Sequence, residues 1–171
     1  RARAHCDGLD GPGVAAARAA LGSGDVNRVL VWVQPADEKE IRAAFERALA
    51  VRKLGTAAKD LADQYFFETL VRVHRAGERA PYTGLKPAGR DLGPAIPAAD
   101  RALESGDPEP LVTLLVGVTR EGVLERFREA RTSKPRDASD VEGGRRYVRA
   151  YVEFIHYVER IHAAAANSAG G

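Results

Sequence analysis

The sequence has one cysteine, Cys6, one tryptophan, no methionine and few aromatic residues (6%). A single cysteine excludes an internal disulfide and any paired-cysteine zinc module. No run of apolar residues approaches the 18 or so that span a bilayer, so membrane insertion is not expected. Charge of one sign is lacking too: 26 Lys+Arg face 24 Asp+Glu, a net charge of +2. Nothing in that balance makes a broad field for nucleic acid. Gly-rich phosphate loops and a Ser-His-Asp order are also missing. The 171 residues are 44% hydrophobic, enough for a buried core. Arg exceeds Lys by 21 to 5, which reads as base-composition bias.

Shifted by 82 residues, the chain matches itself without gaps from Gly11 to His74, with 13 identities over 64 positions. Nine fall between residues 11 and 25, where Ala20-Leu21-Gly22-Ser23-Gly24-Asp25 aligns with Ala102-Leu103-Glu104-Ser105-Gly106-Asp107. Farther on, Phe45 aligns with Phe127, Tyr65 with Tyr147 and His74 with His156. The expectation is an internal duplication, with repeat one at 11–76, a connecting loop at 77–92 and repeat two at 93–165.

Each copy reads as helical, with weak strand signals. Pro12 suits a first helical turn and Gly22-Ser23-Gly24 ends that helix. Asp25 is expected to cap a short helix running to Val33, stopped by Pro35. Asp37 with Glu40 forms a capping-box variant ahead of Ile41, Ala44, Phe45, Ala48 and Leu49, a single apolar stripe. A long helix follows from Ala57 to Arg75. In copy two the same reasoning predicts helices over 95–103, 108–118, 121–131 and, after an Asp140 cap, 141–165. The loop contains Pro81, Gly84, Pro87 and Gly89 and has no period. The predicted fold class is an all-α helical bundle of two tandem repeats related by a pseudo-two-fold axis, forming one domain over 5–171.

The sharpest chemical feature is at the start. Ala2-Arg3-Ala4 is the small-x-small pattern that signal peptidase accepts, or a chance match in an Ala-rich chain. Cleavage there implies an exported protein, periplasmic or extracellular, with residues 1–4 the remnant of its signal peptide and His5 the first mature residue. The free α-amine, the His5 imidazole, and the amide nitrogen and thiolate of Cys6 then form fused chelate rings around one metal ion. Thiolate and nitrogen donors suit Cu, Ni or Zn. The bland alternative is an ordinary His-Cys pair in a terminal segment.

Further donors are available. His74 and His156 occupy equivalent repeat positions, and Glu153 precedes His156 by three residues, on the same helical face. Val71 stands where copy one would need the matching Glu, and Glu68 is six residues before His74. A symmetric two-metal centre therefore lacks part of its ligand set. Either the amino-terminal hook borrows His74, His156, Glu68 or Glu153, or these histidines are core imidazoles bonded to backbone or carboxylate. A copper histidine brace would need the same amine and imidazole with one more histidine. Glu68, among Tyr65, Phe66 and Phe67, is either a buried acid or the surface partner of Arg72 at i+4. Tyr82, Thr83 and Lys86 either close over the site or lie exposed. Arg145, Arg146 and Arg149 read as a solvated basic face.

The segment His5-Cys6-Asp7-Gly8-Leu9-Asp10-Gly11 resembles the N-terminal hook of nickel superoxide dismutases, an all-α family whose chains begin His-Cys-Asp. The resemblance implies nickel held by the terminal amine, the imidazole, an amide and two thiolates. Asp10 stands at the second thiolate position here, a harder donor. The whole chain also resembles a family of exported bacterial helical proteins of unknown function. That likeness is carried by the hook, by Asp63-Gln64-Tyr65-Phe66-Phe67-Glu68-Thr69-Leu70 and its continuation to Gly77, by 80–89, and by 151–160. The functions in view are metal sequestration, delivery or small-oxidant chemistry, then a nickel dismutase-like enzyme, then a non-catalytic module presenting the 82–89 loop to a protein partner. A homo-oligomer is a further expectation.

Overall fold

The computed structural model describes residues 7–135, 137 and 139–166. Seven α-helices carry the chain: α1 (Pro12–Ser23), α2 (Asn27–Leu30), α3 (Glu38–Val51), α4 (Thr56–Gly77), α5 (Ala95–Ser105), α6 (Glu109–Thr132) and α7 (Val141–Ala166). Among the described residues there is no strand, only one parallel bridge between Gly8 and Lys86. No helix is long and apolar enough to cross a membrane. The chain forms two compact units that divide between Gly93 and Pro94.

The first unit is built around α4. Its Phe66, Leu70 and Val71 are almost wholly buried, as are Val14 of α1, Val29 of α2 and Ile41 of α3. The expected stripe on α3 is the face that packs inward: Ile41, Ala44, Phe45 and Ala48 are buried, and Phe45 meets Phe66 at 5.4 Å between ring centroids. Each large side chain removed from water here contributes roughly 1.5–3 kcal/mol. A half-buried ion pair ties the helix ends together. Arg52 Nε lies 2.6 Å from Asp63 Oδ1, and Arg52 Nη1 donates to the Leu21 carbonyl at 2.5 Å.

Two details differ from expectation. The α2 helix stops at Leu30, because the chain tightens into i to i+3 bonds from Trp32 to Val29 and from Val33 to Leu30. No capping box forms at Asp37, which lies inside a 3₁₀ turn (Pro35–Asp37) with φ −96° and ψ −7° and no side-chain cap bond.

In the second unit α5 packs on α6 and α6 on α7. The predicted break between 118 and 121 is absent, and α6 runs unbroken through Thr119-Arg120-Glu121. No Pro or capping side chain interrupts it there, so intrahelical bonding continues. Asp140 does cap α7, its Oδ1 accepting from the Gly143 amide at 2.8 Å. Tyr157 of α7 lies where a Cβ on Gly122 of α6 would be 2.0 Å from its hydroxyl. Arg126 stacks over the same ring at 4.0 Å.

Candidate functional site

Residues 7–10 lie along the connecting loop of the first unit. The Lys86 amide donates to the Asp7 carbonyl at 2.8 Å, and the Leu9 amide donates to the Lys86 carbonyl at 2.9 Å. Asp10 Oδ2 accepts from the Gly89 amide at 2.6 Å. Leu9, Tyr82 and Leu85 pack on the core, so apolar contact supports what the backbone bonds align. Loops of this length tend to carry function. This one clasps the segment that follows Cys6.

The Asp7 side chain is 4% exposed and lies 3.8 Å from Arg75 Nε. Arg75 donates from Nη1 to Glu78 Oε2 at 3.0 Å, and the other Glu78 oxygen lies 3.4 Å from His74 Nε2. His74 Nδ1 is 2.8 Å from the Trp32 carbonyl oxygen, and the Trp32 ring stands edge-on at 5.8 Å. A carbonyl oxygen only accepts, so Nδ1 carries hydrogen. The other nitrogen, Nε2, is buried and faces Glu78 Oε1. Metal-ligating imidazoles are oriented in this way, by an N–H to carbonyl bond on the far nitrogen.

A cavity of about 450 Å³ opens between α3 and α4. Arg47, Tyr65, Glu68, Arg72 and Tyr82 supply polar groups to its wall. Arg72 reaches across to Glu40 of α3, and Glu68 is exposed and accepts from Gln64 at 2.8 Å. Glu68 is therefore neither a buried acid nor the partner of Arg72. The Tyr82 hydroxyl is held above its ordinary pKa, first by burial and next by the Glu68 carboxylate. Asp7 adds to the rise, so the cavity lies within electrostatic range of the clasped segment.

Of the predicted ligands, His5 and Cys6 lie outside the described residues. His74 and Glu68 belong to the first unit, His156 and Glu153 to the second. His156 is exposed and lies 3.9 Å from Glu159, while Glu153 lies 4.0 Å from Arg126. Among the described residues no three His, Cys, Asp or Glu side chains converge as a metal site would require. Sequence reasoning passed over Asp7, Arg75, Glu78 and Trp32. The Glu78 contact had a signal, since it stands four residues after His74, at the C-terminal cap of α4. The Asp7 to Arg75 contact had none.

Fold and site together define an all-α protein whose amino-terminal segment is clasped to a helical unit by its own inter-unit loop. The chain belongs to the family of unknown function DUF6448, which it matches over residues 10–157. No curated protein and no solved structure matches it.

Proposed function

We propose that the protein binds one transition-metal ion, copper, nickel or zinc, through His5 and Cys6, and serves in metal sequestration or delivery outside the cytoplasm. The reading includes export and cleavage after Ala4, so that the His5 α-amine is free. The observation that carries it is the clasp on Asp7. A chelate one residue upstream of a buried, hydrogen-bonded anchor loses little further entropy when a metal orders it. His5 is two Cα steps from Asp7, a reach of at most about 7–8 Å. Asp7 itself contacts Arg75 near the end of α4, and on this reading the neighbouring His74 and Glu78 are candidates for further donors.

Sequestration fits better than dismutase chemistry. The nickel enzymes need a second thiolate, and Asp10 at that position is engaged with the Gly89 amide. We further infer that the two units arose by duplication, a reading supported by the matching turns at Gly24 and Gly106.

The test is metal analysis of native protein whose first residue has been identified by mass spectrometry. One equivalent of metal is expected, lost in His5→Ala and in Cys6→Ser. A form retaining Arg1 to Ala4 should bind far more weakly, because the α-amine is displaced from the chelate. Stoichiometric metal that survives both substitutions, or none in protein beginning at His5, refutes the reading.

A further inference from the structure

The second unit leaves an apolar face uncovered. Among its described residues only Ala98, Ala130, Gly143 and Ala150 are buried. Less exposed residues of α7, Tyr147, Ala150, Phe154, Tyr157 and Ile161, alternate steps of three and four, and this face meets α6 through Phe154 and Tyr157. Phe154 stands edge-on to Phe127 there, at 6.0 Å between ring centroids. A second stripe runs along α7, made by Val141, Val148, Tyr151, Val152, Ile155 and Val158, all between 38% and 59% exposed. It obeys a heptad too: Val141, Val148 and Ile155 fall at one core position, Tyr151 and Val158 at the other. At 3.6 residues per turn it lies about 130° around the helix from the first seam. A bundle helix with two neighbours carries two seams in this way, and within the second unit α7 packs on α6.

We propose that the second stripe is a docking surface for α7 of a second copy of this chain, running antiparallel. The charges beside the stripe select that occupant. Arg145 and Glu159 share one edge of it, two turns either side of Val152. Antiparallel pairing that sets Val148 against Val158 and Tyr151 against Ile155 of the second copy leaves the two Val152 residues about 3 Å from level with each other. The same register sets Arg145 beside Glu159 of the second copy, twice by symmetry. Both side chains are exposed, at 64% and 73%; Arg145 bonds Glu142 and Glu159 lies 3.9 Å from His156, so each would exchange a solvent-exposed contact within its own helix for one across the pair. Exposed large apolar residues of the first unit, Val31, Leu54, Leu61 and Tyr65, make no comparable stripe along one helix.

Sedimentation equilibrium of the full chain, in EDTA so that metal plays no part, decides the matter. A dimer is expected at micromolar concentrations. Ile155→Glu should yield a monomer with unchanged helical circular dichroism. Arg145→Glu and Glu159→Arg should each weaken the dimer about tenfold, and the double exchange should restore the native constant. A chain that stays monomeric, a dimer that survives Ile155→Glu, or a double exchange no tighter than its parents overturns the proposal. Any of these outcomes leaves the metal reading untouched.

Discussion

Ser23-Gly24-Asp25 in the first unit and Ser105-Gly106-Asp107 in the second make the same turn. Gly24 and Gly106 have φ of 75° and 74°, and their amides donate to Ala20 at 2.8 Å and Ala102 at 2.9 Å. Asp25 Oδ1 accepts from the amide two residues on at 3.1 Å, and Asp107 Oδ1 does so at 3.0 Å. Ten residues past the turn the units diverge. Pro35 removes a backbone donor and holds Gln34 extended, with ψ of 151°, so α2 and α3 are separate helices, α2 packing on α1 and α3 meeting α4 through Phe45 and Phe66. The position aligned with Pro35 is Gly117, which weakens a helix without breaking it. The α6 helix therefore runs straight for 24 residues, and its long hairpin with α7 has a seam but no interior. A core needs chain on several sides, and here one proline makes the difference.

The sharpest way to break this comparison is to truncate one aromatic ring in each unit. Phe66 is fully buried, so Phe66→Ala should cost about 3–5 kcal/mol and shift the urea midpoint strongly. Phe127 is 44% exposed, and Phe127→Ala should cost about 1 kcal/mol or less at concentrations where the chain is monomeric. Equal losses would mean that the second unit has a core comparable with the first.

The internal match predicts two equivalent copies, so this contrast was not legible in the sequence, although several of the elements were, and for a physical reason. Helical period is local, so the inward face of α3 and the Asp140 cap could be read directly. The continuity of α6 was misread because Thr119 and Arg120 interrupt an apolar run, yet polarity alone does not end a helix. Which stripes find partners is a tertiary property, and periodicity shows a stripe without showing what covers it. The site was less legible still. Arg72 bypasses the nearby Glu68 for Glu40, 32 residues away in sequence, and Asp7 meets Arg75 across the first unit. His74 was readable as a core imidazole bonded to backbone, but not as one bonded to Trp32.

Smaller effects sharpen the comparison. Gly122→Ala removes a poor helix former, worth up to about 1 kcal/mol, but drives a methyl group into the Tyr157 ring. The ring sits beneath Arg126 and has nowhere to go without leaving the α6 to α7 seam, so a net loss of about 1–2 kcal/mol is expected by urea denaturation. A net gain would mean that this seam is loosely packed. Gly24→Ala and Gly106→Ala should each cost about 1 kcal/mol, since both residues are left-handed and a Cβ on either meets open space. Their denaturation losses should agree within about 0.5 kcal/mol; a larger gap would separate the two turns.

The smallest expected effect concerns Tyr82, the loop tyrosine of the first unit. Burial, the Glu68 carboxylate and the Asp7 carboxylate all favour its neutral form, raising its pKa from 10.0. The folded chain thus holds this proton more tightly than the unfolded chain does. Its contribution to stability is fully present below pH 10 and fades as pH rises through the folded value. Absorbance near 295 nm should contain a component titrating above 10 that Tyr82→Phe removes. Asp7→Asn should move that component down, because it deletes one of the charges while leaving the Lys86 backbone bond in place. Were Asp7→Asn to leave it unmoved, the clasped segment and the cavity would be electrically separate, and the anchor would lose its link to the α3 and α4 groups.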